Sequence, residues 1–157
     1  MNTYKEVQGS VFWGRALFSA HLFAFTGIAT YRAIFASQWP SWFLSLSIAL
    51  FIFLLINFWQ LSITVNGQSL TMAFGLLRKR LLLSEITSWQ PTEYRWSKYG
   101  GWGIHRSARD GSVTWSAKGK SAVAMNTTAR KYVVTSSNPE YLCQVITQFK
   151  KDNITRV

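Results

Sequence analysis

Acidic residues are scarce in this chain. Six Asp and Glu stand against 17 Lys and Arg over 157 residues, a formal net charge of +11. Charged residues of both signs make up only 15%, where an ordinary soluble domain carries about 25%. A single cysteine, Cys143, excludes an intramolecular disulfide framework and a cysteine-rich zinc site. The two histidines, His21 and His105, have no Cys or His neighbour at metal-ligand spacing. No charged residue of either sign occurs between Ala33 and Leu77. What is abundant is apolar: 48% hydrophobic and 16% aromatic, which excludes a disordered chain. So much positive charge on so apolar a chain points to anionic lipid, nucleic acid or an acidic partner.

Two apolar segments, about 11–35 and 42–59, have the length of membrane-crossing helices, since a bilayer core needs about 20 apolar residues. Trp42 and Trp59 would stand about 26 Å apart along a helix, as interfacial aromatic belts do. Arg15 and Arg32 have the same separation and would each snorkel to one interface. The short connection with Pro40 suits an antiparallel hairpin. A cleaved signal peptide is the alternative for the first segment, but Arg32 interrupts its end and no small-residue cleavage site follows. Lys5 and Arg15 flank the start, and every basic residue after Arg32 lies from Arg78 onward. The positive-inside rule then predicts a multi-pass protein of the bacterial inner (cytoplasmic) membrane with both termini cytoplasmic.

Within these segments Ala16, Ala20 and Ala24 recur every four residues, as do Ser41, Ser45 and Ala49. Such small-residue stripes let helices approach closely, inside the hairpin or against another copy or another membrane protein. His21 would sit about 9 Å deeper than Arg15. With no acid on either segment, it is expected neutral and hydrogen-bonded, for example to Asn57, with a functional role as the alternative.

From residue 61 the pattern changes, dividing the chain into a 1–60 part and a 61–157 part. Alternation predicts strands at 61–65 and 69–74 around Asn66-Gly67, a strong hairpin signal. Further strands are expected at 79–83, 86–94, 112–117, 122–125 and 132–135. Asn138-Pro139-Glu140 reads as an N-cap, a first-turn proline and a first-turn acid. Tyr141, Leu142, Val145, Ile146 and Phe149 then repeat at helical spacing.

A small sheet structure closed by one C-terminal helix resembles a pleckstrin-homology fold. The words Tyr99-Gly100-Gly101-Trp102-Gly103-Ile104, Val113-Thr114-Trp115, Leu82-Leu83-Ser84-Glu85-Ile86 and Ser137-Asn138-Pro139-Glu140-Tyr141-Leu142 are similar to those of bacterial PH-like domains of small two-helix membrane proteins. His105 precedes Arg106 where that family often has arginine directly after the isoleucine. The resemblance implies no catalytic residue and no cofactor. The expected fold class is therefore membrane α+β: a two-helix transmembrane hairpin plus a PH-like small β-barrel or sandwich with a C-terminal helix.

Candidate chemistry is thin. The glycines at 100, 101 and 103 precede a strand rather than a helix, against a phosphate loop. Glu85 and Glu93 are the only domain acids not placed at a turn, helix start or tail, and nothing proposes a triad. Arg78-Lys79-Arg80 is the informative word: cations that contact an anionic leaflet, or a charged edge strand guarding against aggregation. Arg95, Trp96, Lys98 and Tyr99 form an aromatic-basic loop suited to partner or interface contact rather than to nucleic acid. The expected function is a non-enzymatic adaptor or accessory subunit of a membrane protein complex, without metal or cofactor. A lipid-headgroup sensor and an enzyme with an unrecognised site are the alternatives.

Overall fold

The structure is a computed structural model and describes residues 3–9, 12–35, 42, 45–46, 48–50, 52–53, 59–99, 101–107 and 110–154. Strand β1 (Tyr4–Gly9) precedes helix α1 (Phe12–Phe35). Then follow β2 (Gln60–Val65), β3 (Ser69–Phe74), β4 (Leu77–Leu82) and β5 (Ile86–Glu93). A one-turn helix α2 (Trp96–Tyr99) leads to β6 (Gly103–Arg106), β7 (Val113–Ser116), β8 (Ser121–Thr127), β9 (Lys131–Thr135) and helix α3 (Pro139–Ile154). The strands form two sheets, β1-β2-β3-β4 and β5-β8-β9-β7-β6, with β7 and β9 parallel and the other neighbours antiparallel.

The alternation seen in sequence becomes the core. Leu61, Ile63 and Val65 of β2 and Leu70, Met72 and Phe74 of β3 are fully buried. They pack with Leu81, Ile86, Trp115, Val123, Met125, Tyr132 and Val134, and with Leu142 and Ile146 of α3. Phe74 and Trp115 stack across the two sheets with centroids 6.0 Å apart. Each such side chain contributes about 1.5–3 kcal/mol by leaving water. Asn138 caps α3, its Oδ1 accepting from the Tyr141 N–H at 3.1 Å. The Trp89 indole N–H reaches the Cys143 carbonyl at 3.2 Å and the Thr147 hydroxyl at 3.1 Å, fixing α3 on β5. The Asn66-Gly67 hairpin forms as expected, with Asn66 Oδ1 accepting from the Ser69 N–H at 2.9 Å. The β3–β4 turn is tighter, and Gly75 takes φ +53°, a conformation that favours glycine.

Strand β1 is the unforeseen element. The sequence places residues 4–9 with the N-terminal part, yet they pair along all of β2, from Tyr4 with Val65 to Gly9 with Gln60.

The membrane expectation is overturned. No described helix is long and apolar enough to cross a membrane. Helix α1 has 24 residues, so length is not what fails. Arg15, Ser19, His21, Thr26, Thr30 and Arg32 dilute it, and its average hydropathy falls below what a crossing needs. Length and flanking aromatics carried the expectation; average polarity along the segment decides against it. In the second segment, residues 42, 45–46, 48–50 and 52–53 are helical, and Ser41 and Asn57 lie outside the described residues. The membrane α+β class, the transmembrane helices, and the multi-pass inner-membrane placement with cytoplasmic termini rested on those crossings and fall with them. The fold is instead β-rich, two sheets with one C-terminal helix, preceded by α1.

Candidate functional site

Strand register sorts the basic word into two faces. In β4, Lys79 lies opposite Met72, while Arg78 and Arg80 lie opposite Ala73 and Thr71. Met72 points into the core, so Lys79 shares the inner side at the sheet edge, its ammonium 6.0 Å from the Tyr132 ring centroid. Arg78 and Arg80 project outward. Register carries the same outward face across the sheet through Ser62 and Thr64 of β2 to Lys5 and Val7 of β1.

The outward face of the first sheet therefore carries Lys5 on one edge strand and Arg78 and Arg80 on the other, with Ser62, Thr64 and Thr71 between. No Asp or Glu occupies its register positions. Arg80 is oriented by donating from Nε to the Ser69 hydroxyl at 2.9 Å, which in turn donates to Asn66 Oδ1 at 3.0 Å. The ion pairs Arg95–Glu93 (2.8 Å) and Lys131–Asp110 (3.6 Å) involve the other sheet.

Over the β1–β2 end of this face opens a cleft of about 650 Å³. Lys5, Gln60 and Ser62 supply polar groups, and Val7, Ile52 and Trp59 supply apolar wall. This juxtaposition of residues 5–7, 52 and 59–62 has no local sequence signature. Only the β1–β2 pairing brings Lys5 beside residues more than fifty positions away.

The acid nearest this face is turned from it. Glu6 shares the inward side with Ile63. It accepts hydrogen bonds from the Ser137 N–H (2.6 Å), Ser136 hydroxyl (2.8 Å), Gln8 side-chain amide (2.8 Å) and Tyr4 hydroxyl (3.0 Å). Burial works against its ionisation, but these four donors outweigh it and hold the carboxyl below its usual range. The Tyr4 hydroxyl is raised by burial and by donating to that carboxylate. Gln8, buried, completes the knot by donating to the Thr135 carbonyl at 2.8 Å.

The aromatic-basic loop is partly structural. Tyr99 is buried and stacks on Tyr94 at 5.7 Å, in a small cluster with Ala122, Ala124 and Val133. Lys98 lies over the Tyr99 ring at 4.9 Å, and Arg95 is held by Glu93. The backbone of Trp96 belongs to α2. The intervening glycines serve the backbone: Gly103 has φ +93°, and the Gly101 carbonyl accepts from Tyr94 and Ser116 hydroxyls at 2.8 and 2.7 Å. His105 contacts the Trp102 carbonyl.

Of the helical candidates, Ala16, Ala20, His21 and Ala24 lie on α1, with Ala20 and Ala24 exposed. Ser45 and Ala49 are exposed helical positions in the second segment. Around them Phe23, Ile28, Tyr31, Ile34, Phe35, Trp42, Leu46 and Leu50 are exposed large hydrophobics. Cys143 is half-buried, and burial followed by the Glu140 charge pushes its thiol up to about 11, so it is a poor nucleophile. Asp110 is held down to about 2, chiefly by the Ser112 hydroxyl at 2.6 Å. Among the described residues no three His, Cys, Asp or Glu gather where they could hold a metal ion. The chain matches no family model, no curated protein and no solved structure.

Proposed function

We propose that the protein is a non-enzymatic adaptor that docks on an anionic lipid surface through the outward face of its first sheet. The observation that carries this reading is the placement of Lys5, Arg78 and Arg80 on one side of a four-stranded sheet with no carboxylate among them. Each cation near an anionic leaflet is worth about 1 kcal/mol, so three aligned cations amount to more than tenfold in affinity. Serine and threonine hydroxyls between them add donors for phosphate oxygens. The net charge of +11 adds long-range attraction to the same surfaces.

The adaptor part of the reading is supported by α1. Ile28, Tyr31 and Phe35 are spaced along one helical side and exposed, a surface that isolated proteins rarely leave uncovered. It suits contact with another protein or a second copy while the cationic face holds the lipid.

Co-sedimentation of the full chain with phosphatidylglycerol-containing vesicles tests the docking. Arg78→Gln with Arg80→Gln should lower the bound fraction severalfold, and raising salt should do the same to the parent. Neutral phosphatidylcholine vesicles should bind little. Sedimentation unchanged by the double substitution would remove the face from the reading.

A further inference from the structure

We infer that the cleft above the β1–β2 end of the first sheet is a binding site for one single-chain amphiphile with an anionic head, an alkyl phosphate or fatty carboxylate. The inference goes beyond surface docking: it concerns a single stoichiometric ligand seated in an open cleft rather than contact with a bilayer.

Three observations carry it. The first is size. About 650 Å³ is the range of small-molecule pockets, room for one drug-sized chain and not for a diacyl lipid. The second is the division of the lining. Val7, Ile52 and Trp59 provide an apolar wall, while Lys5, Gln60 and Ser62 provide a cation, an amide and a hydroxyl. The register places them in order along the pair of strands: Lys5 opposite Thr64, Val7 opposite Ser62, Gly9 opposite Gln60. From Lys5 to Gly9 is about 13 Å of strand, so a headgroup at Lys5 leaves an alkyl chain running past Val7 toward Trp59. A purely apolar ligand would leave the amide and hydroxyl facing hydrocarbon, and a small inorganic anion would leave the apolar wall wet.

The third is charge. Lys5 is exposed, while the neighbouring Glu6 points to the opposite side and is committed to four donors. No carboxylate occupies the outward register positions around Lys5, so its ammonium makes the local field positive and selects an anion. Ser62 offers a hydroxyl whose own bond to the Ala73 carbonyl is long, 3.5 Å, and is readily exchanged for a ligand oxygen.

The test is calorimetric titration of the full chain with dodecyl phosphate below its micelle concentration. Dodecyl glucoside and inorganic phosphate are titrated in parallel. Saturable one-to-one binding of dodecyl phosphate is expected, with the other two at least tenfold weaker. Lys5→Gln should weaken binding at least fivefold, and Lys5→Arg should restore most of it, which a folding defect would not produce. Equal binding of the glucoside, or Lys5→Gln within twofold of the parent, would overturn the site. So would the absence of a saturable signal. The double substitution Arg78→Gln with Arg80→Gln separates this site from vesicle docking. It should lower sedimentation with anionic vesicles severalfold while leaving dodecyl phosphate binding within twofold. Loss of both would assign the anion to the open face and overturn the cleft. Loss of neither would remove the docking reading and leave the cleft standing.

Discussion

Two regions of this molecule are rich in large apolar side chains, the helical segments far more so than the sheets, and the side chains meet opposite fates. In the two-sheet region Leu, Ile, Val and Phe alternate with polar residues, and the apolar half disappears into a core that includes Phe74, Met125 and Ile146. On α1 and the described residues of the second segment, Phe23, Ile34, Phe35, Trp42 and Leu46 remain more than half exposed. Hydrophobic residues hold a fold together only where period and pairing aim them at one another. Where they surround a helix without that aim, they create a surface for something else to cover.

That contrast makes the largest expected effect a core truncation. Phe74→Ala removes a ring stacked on Trp115 and should cost about 3–5 kcal/mol, read as a lowered urea midpoint. Next comes the polar knot that ties β1 to the start of α3. Glu6→Ala strands the donors of Ser136, Ser137, Gln8 and Tyr4 and should cost about 2 kcal/mol. Because Glu6 is depressed in the folded state, its contribution is full above the unfolded carboxyl range near ~4.3 and fades as pH falls through the lower folded value. Asp110, held down to about 2, has the same sign. A denaturation series from neutral to strongly acidic pH should therefore fall less steeply for Glu6→Gln than for the parent. Gly75→Ala puts a Cβ at φ +53° and should lower the midpoint by about 1 kcal/mol. Smallest of all, Ile34→Ser on α1 should leave the midpoint within about 0.5 kcal/mol. A drop as large as that of Phe74→Ala would mean that α1 is a core element after all.

Much of the β region was legible. The 69–74 strand matches residue for residue, the expected strand at 61–65 begins one residue later than the observed β2, and the cap at Asn138 and stripe on α3 follow local rules. Strand β1 was not legible, because its inward residues are Tyr4, Glu6 and Gln8. Their polarity is explained only by Thr135, Ser136 and Ser137, far away in sequence. The cationic word at 78–80 was visible, but contiguous residues on a strand do not share a face. Period two sends Lys79 to Tyr132 and leaves Arg78 and Arg80 to join Lys5. Tyr99 reads in sequence as an exposed contact residue; Tyr94 beneath it makes it part of a packed cluster. The first apolar segment falls short as a membrane crossing because Arg15, His21 and Arg32, read as interfacial anchors and a buried polar group, lower the average hydropathy of α1.

The pairing of Gly9 with Gln60 has a mechanical consequence. Everything between these two positions leaves and re-enters the sheet through adjacent strands about 4.8 Å apart. Tension on that excursion would not load the β1–β2 ladder in parallel. It would pull at one end, opening the bonds in succession from Gly9 toward Tyr4, as a zipper opens. Such a geometry yields at low force, and each step releases the next residue of β1, first Gln8 and then Glu6, from its hold on the segment leading into α3. A load on the helical excursion would thus be converted into the detachment of a single strand, with the other described strands left in place.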